Sequence, residues 1–356
     1  MNRSRTFLFP LIVLAGLLLS ACGSVPAGSW PGISVDDRGD TIYLAYNQYL
    51  YALQADNGAE RWRFRPERDN RFQVYAAPEL SEDGQLLLGA YNHMLYSLNP
   101  DTGNLNWSFA GAANRYIAAP LTSGGAIFAP NADHRLYSLT AEGELRWTFG
   151  TDEPQWSPLT SSGDILYLPS MDHRLYAIDA ETGQAIWEKD LGGTLVSQPV
   201  LSENGTLYVG SMNNEVLAVD SSNGEILWRF ATDGPVWGSP ALFENQILVG
   251  DLEGTLYAID SDHGQELWRV DGEGAITGSP LVLNDHIYIV HENGNAVAVT
   301  MEGNIQWTQK LDAALYGSPM AVGDLILVGL SESESGALLV ALDENGNTVW
   351  SFVPQK

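Results

Sequence analysis

Three things are scarce in this chain. It has one cysteine, Cys22, so no disulfide can form within it. It has 17 Lys and Arg against 44 Asp and Glu, a formal charge of −27. A polyanion repels phosphate, which excludes nucleic-acid binding as a function class. Its N-terminal apolar run, Phe7 to Leu19, is interrupted by Pro10 and Gly16 and is too short to span a bilayer comfortably. Motifs for phosphate cradling or for a nucleophile elbow are missing as well. What is present is 45% hydrophobic residues in 356, enough for a sizeable core and incompatible with global disorder. A core of that size needs no disulfide.

The apolar run has the length of a signal-peptide core, with Arg3 and Arg5 as its positive end. It closes on Leu19-Ser20-Ala21-Cys22. Those four residues resemble the lipobox of bacterial lipoprotein signals. The resemblance implies removal of residues 1–21, acylation of Cys22, and anchoring to a membrane by several acyl chains. Residues 22–29 then form a short tether and residues 30–356 a single domain. Gly23 lacks the acidic character that, in such lipoproteins, signals retention at the inner membrane. Without Arg3 and Arg5 the chain carries 15 cations and 44 anions. They are unevenly spread: residues 23–189 hold 11 cations and 21 anions, residues 190–356 hold 4 and 23.

Tryptophan supplies a period. Trp62, Trp107, Trp147, Trp187, Trp228, Trp268, Trp307 and Trp350 recur at intervals of 39 to 45 residues. Each follows a glycine by four positions: Gly58, Gly103, Gly143, Gly183, Gly224, Gly264, Gly303 and Gly346. Within one period short β-branched runs alternate with turn residues, as in GSPALF, QILVG, TLYAID and ELWRV over 238–270. Four strands repeated eight times predict an all-β fold, an eight-bladed propeller of four-stranded antiparallel blades. The second turn of each blade reads as a two-residue hairpin, for example Asn92-His93, Asp133-His134, Asp172-His173 and Asn213-Asn214. The eighth blade has a longer loop there, Ser331 to Gly336. Pro78, Pro120, Pro158, Pro199, Pro240, Pro280 and Pro319 are expected in the innermost strands, with Trp30-Pro31-Gly32 in that place in blade one. The ring is expected to close by packing blade eight on blade one.

LYAIDAETGQAIW (175–187), EVLAVDSSNGEILW (215–228) and TLYAIDSDHGQELW (255–268) resemble the PQQ-like repeat, with its Ala-x-Asp-x-x-x-Gly-x-x-x-Trp docking motif. The resemblance covers about residues 30–353. It implies that each of the eight tryptophans packs against the neighbouring blade. Departures occur at Gln54 and Asn99 for the Asp, and at Ser97 and Ser138 for the Ala.

The same family includes quinone- and Ca²⁺-dependent dehydrogenases. Their site, by resemblance, needs carboxylate and amide ligands, a stacking tryptophan and often a vicinal disulfide. Trp156 and Trp237 are candidates for stacking, but one cysteine cannot make the disulfide. No catalytic residue, cofactor or metal ligand is therefore assigned. His93, His134 and His173 share one turn position on successive blades, too far apart for a common ion. Arg38-Gly39-Asp40 reads as a turn before TIYLAY. Two features read as contact surface. The long connection after blade one is expected to carry Arg61, Arg63, Arg65, Arg68 and Arg71, beside Glu60, Glu67 and Asp69. Asp152, Asp190, Asp233, Asp271 and Asp312 follow the tryptophans and are expected to encircle the same face, where weak Ca²⁺ binding is conceivable.

The combination of lipobox, eight blades and no catalytic set resembles the lipid-anchored propellers of outer-membrane β-barrel assembly. GSPALFENQILVGDLEGTLYAID (238–260) carries that resemblance furthest. It implies a monomeric, non-enzymatic scaffold of the cell envelope. Such a protein is held to the membrane through Cys22, at the periplasmic face of an outer membrane or the outer face of a single membrane, and contacts other envelope proteins. A ligand- or carbohydrate-binding sensor and a PQQ-dependent oxidoreductase are the alternatives.

Overall fold

The computed structural model describes residues 31–66 and 71–355. Residues 1–30, which include the expected signal, Cys22 and Trp30, lie outside the described residues, as do Glu67, Arg68 and Asp69. The rest is all-β: eight four-stranded sheets, each made of four strands consecutive in the chain. Blade one is typical, with Gly32–Val35 innermost, then Thr41–Tyr46, Tyr49–Gln54 and Glu60–Phe64 outermost.

Burial follows position in the blade. The second and third strands are buried on both faces, so they read as unbroken apolar runs such as Leu248–Val249 and Leu256–Ile259. The outermost strands are exposed at alternate residues. Eight clusters of buried side chains each join two neighbouring blades. No sheet has a private core; the sheets share one around the ring.

Each tryptophan lies against the glycine of the next blade. A Cβ on Gly103 would stand 2.5 Å from Trp62 Cε3, and one on Gly264 would stand 2.6 Å from Trp228 Cδ2. Both glycines have positive φ, 68° and 67°, so absence of a side chain serves turn and packing together. Seven indole N–H groups donate to a backbone carbonyl of the next blade, as Trp228 does to Ser261 O at 2.9 Å and Trp268 to Met301 O at 2.9 Å. The turn that presents the carbonyl is held by its acid: Asp179 Oδ1 accepts from Glu181 N and Thr182 N, at 3.1 and 2.8 Å. Asn99 does the same for Asp101 N and Thr102 N, which is why that departure is tolerated.

A bulge sits beside every docking tryptophan, where the register slips by one residue. In blade five Ala218 pairs with Trp228 and Val219 with Ile226, leaving Leu227 unpaired and 54% exposed. Bulged edges resist pairing with a foreign strand.

Two expectations are corrected. The prolines stand just before the inner strands, not within them: Pro240 precedes Ala241–Phe243 and Pro280 precedes Leu281–Leu283. The preceding serines staple neighbouring blades near the axis, Ser239 N to Ser279 Oγ at 3.0 Å and Ser279 N to Ser318 Oγ at 2.8 Å. Proline, lacking an N–H, follows the residue whose N–H is used. Secondly, most of the second hairpins have three-residue loops. Asn131 pairs with Arg135 and Ser211 with Glu215, with His134 and Asn214 as the last loop residues at φ 69° and 60°. A turn followed by one left-handed residue fits the strand twist as well as a two-residue loop does. Blade one alone keeps the shorter form, Tyr46 pairing with Tyr49 around Asn47.

The ring closes by side chains. Trp350 lies on Gly58, Phe352 meets Tyr51 edge-on at 5.2 Å, and Arg63 donates to Gln355 O at 3.0 Å.

Candidate functional site

Antiparallel strands place three segments on one end of each blade: the start of the inner strand, the second hairpin and the outgoing connection. Hydrogen bonds join them across blades. Tyr91 N binds Gln73 O at 2.9 Å, Met212 N binds Thr194 O at 3.0 Å, and Leu252 N binds Pro235 O at 2.9 Å. This loop-bearing face is a rigid platform, the kind of place where loops carry function.

The described arginines of the first cluster are dispersed. Arg61 and Arg63 lie in the outermost strand Glu60–Phe64, and Arg65 follows it. Arg61 reaches the opposite end of the blade, donating to Thr41 Oγ1 at 2.9 Å and Asp40 O at 3.0 Å. Arg63 is clamped by both oxygens of Glu60, at 2.6 and 2.9 Å, and lies over the ring of Tyr51. Arg65 stacks over Tyr49 at 5.6 Å. Alternation along the strand puts these three on one side at successive heights. Arg71 is exposed in the connection itself, and Arg68 lies outside the described residues. One cation of this face escaped notice in the sequence: Arg115, whose guanidinium lies 5.1 Å over Tyr91, itself edge-on to Tyr75 at 4.7 Å. Two tyrosines sixteen residues apart carry no signal in the chain that they meet.

The five aspartates end the outer strands, as Asp190 and Asp271 do, or follow them, and they do not converge. Asp152 faces Arg174 at 3.5 Å, Asp233 faces Arg269 at 3.3 Å, and Asp190 caps Gly192 N at 2.8 Å. Among the described residues no group of three His, Cys, Asp or Glu could hold a metal ion. His93, His134 and His173 occupy left-handed turn positions at φ 70°, 69° and 74°. Arg38 pairs with Asp36 at 3.2 Å in the turn before Thr41–Tyr46. Trp156 and Trp237 are half-buried before their inner strands, and Trp156 Nε1 is shielded from water with no hydrogen-bond partner among the described residues.

Comparison with known proteins follows the architecture. The crystal structure of BamB from Moraxella catarrhalis matches with TM-score 0.70 at 16% identity, covering 84% of this chain and 90% of that one. The computationally designed Ika8 protein matches with TM-score 0.74 at 14% identity, over 91% and 96%. A europium-containing methanol dehydrogenase matches with TM-score 0.71 at 12% identity, over 84% and 82%. Likeness at these identities establishes the fold and no more. No curated protein sequence gives a significant match. A family model does, over residues 46–167, 141–236, 171–276 and 213–355, which together take in most of the chain. The chain belongs to the PQQ-like repeat family described as outer membrane protein assembly factor BamB.

Proposed function

We propose that this protein is a non-enzymatic, lipid-anchored scaffold of the cell envelope that serves the assembly of outer-membrane β-barrels. The family match across residues 46–355 carries the reading. Three further points support it. The lipobox at Leu19–Cys22 supplies an anchor. Among the described residues no three His, Cys, Asp or Glu side chains converge as in a carboxylate-rich metal centre, and the likeness to the dehydrogenase neighbour is one of fold alone. The loop-bearing face is braced from blade to blade and presents Arg65, Arg71 and Arg115 in an otherwise acidic molecule. Guanidinium groups suit carboxylates on a partner protein.

Crosslinking in the native membrane, followed by capture and mass spectrometry, tests this. A β-barrel insertase is expected among the captured partners, and Cys22→Ala is expected to release the protein from the membrane. Capture without any barrel-assembly component would overturn the assembly role. Changing Arg65, Arg68 and Arg71 to Ala is expected to cut partner recovery several-fold; undiminished recovery would remove the arginines from the contact.

A further inference from the structure

Five of the eight blade interfaces are plugged by the same pair of rings. A phenylalanine two residues after the docking tryptophan meets a tyrosine on the third strand of the next blade: Phe64–Tyr96, Phe109–Tyr137, Phe149–Tyr176, Phe230–Tyr257 and Phe352–Tyr51. All are edge-on, with centroids 5.2 to 5.7 Å apart. Several of these tyrosines also bury their hydroxyl on a carboxylate of the adjacent hairpin, Tyr176 on Asp172 at 2.7 Å and Tyr257 on Asp251 at 3.1 Å. Two interfaces replace the phenylalanine by another long side chain, Lys189 or Gln309. Between blades six and seven both members are short, Val270 and Val297.

A cleft of about 150 Å³ opens at that interface, walled by Val270, Ile289 and Val297. A void of this size accommodates one aromatic ring. His291 lines it, occupying the hairpin position that Asp251 holds in blade six; His291 N binds Asn295 O as Asp251 N binds Thr255 O. The imidazole is 3% exposed, and its Nδ1 lies 2.8 Å from Gly274 O. A carbonyl only accepts, so Nδ1 carries the proton and Nε2 is left as an acceptor. Nε2 has no hydrogen-bond partner among the described residues. Gly272 keeps its approach clear, since a Cβ there would stand 2.9 Å from Nε2. Asp271 and Glu273 at the rim disfavour an anionic ligand.

We propose that this cleft binds a neutral phenol ring, which fills the place of the missing aromatic pair and donates its hydroxyl to His291 Nε2. The ring restores at blades six and seven what tyrosine provides at blades three to four and five to six. A free phenol and the tyrosine side chain of an incoming peptide offer the same chemistry. The inference is independent of the barrel-assembly reading, because it rests on the interface alone.

The test titrates p-cresol into the full chain, followed by calorimetry or NMR, with toluene as the control lacking the hydroxyl. Saturable p-cresol binding is expected, about tenfold tighter than toluene, the value of one buried hydrogen bond. Val297→Tyr is expected to abolish binding by filling the cleft. His291→Leu, which leaves the cavity walls apolar, is expected to bring the p-cresol to toluene ratio close to one. Absence of saturable binding overturns the proposal. So does p-cresol binding unchanged in Val297→Tyr, or a ratio unchanged in His291→Leu should the tyrosine variant fail to fold. Displacement of p-cresol by N-acetyltyrosinamide assigns the ring to a peptide, and binding without displacement assigns it to a free phenol; both support the site.

Discussion

Trp350 of blade eight rests on Gly58 of blade one, where a Cβ would stand 2.5 Å from Cε3, yet its indole N–H has no acceptor among the described residues. At the other seven interfaces the indole binds a carbonyl of the next blade. The closing interface has the packing of the others without that hydrogen bond. Among the described residues no strand crosses between the first and last sheet.

Trp228→Ala is expected to cost about 3–5 kcal/mol, from lost burial and the cavity left behind. The phenylalanine variants separate packing from hydrogen bonding. Trp228→Phe leaves Ser261 O without its donor, whereas Trp350→Phe removes a donor that is already unpartnered. Trp228→Phe should therefore be the more destabilising by about 0.5–1.5 kcal/mol. Urea unfolding of the two variants measures it, and a larger loss at Trp350 would contradict the account.

Gly264→Ala and Gly163→Ala share a left-handed backbone, φ 67° and 55°, but only the first places its methyl on a ring, 2.6 Å from Trp228 Cδ2. Gly163 has nothing within 4 Å. Both lose about 1 kcal/mol to backbone strain. Gly264→Ala is expected to lose a further 1–3 kcal/mol, on the order of an overpacked core. Equal thermal shifts would show that the docking glycine is needed for its turn alone.

Glu79 on the inner strand Glu79–Leu80 faces Thr122 of the next blade at 3.5 Å. Burial pushes its carboxyl up to about 7, and the Thr122 bonds offset this only in part. The folded state thus holds the proton more tightly than the unfolded chain, whose glutamate titrates near 4.5. Stability is fully present below pH 4.5 and declines as pH rises towards 7. Glu79→Gln should remove this decline, gaining about 1–2 kcal/mol at pH 8 relative to pH 5. The two-pH comparison by urea denaturation decides it.

His291 titrates in the opposite sense. Burial lowers its pKa below the usual 6.5, despite the bond to Gly274 O. The unfolded chain takes up the proton first, so stability present above pH 6.5 is lost as pH falls through the folded value. His291→Asn should flatten unfolding free energy over that range, with Glu79→Gln as the background that keeps the two titrations apart. A slope below pH 6.5 unchanged by the substitution would assign it to other groups.

Much of the fold was legible because the repeat writes its own restraints into the chain. Glycine and tryptophan recur four residues apart, with a polar residue such as Asp179 ahead of the glycine, and each has a local job: a left-handed turn, a ring to bridge blades, an oxygen to cap the turn. The hairpin loops were misjudged by one residue, because Asn and His fit both a two-residue turn and the last place of a three-residue loop. The arginines were read as one loop from their spacing alone. The end of the blade that each one reaches is a tertiary fact, and it separates Arg61 from Arg65.

By itself the sequence determined the number of blades, the strands in each, the docking residues and the acidic surface, since these follow from period, propensity and charge. Only the tertiary structure decided how the ring closes, which polar groups meet across blades, and that blades six and seven leave a cleft beside His291. Those outcomes depend on pairs of residues remote along the chain, such as Val270 and Val297 or Trp350 and Gly58. The repeat marks the positions, but only packing brings each pair together.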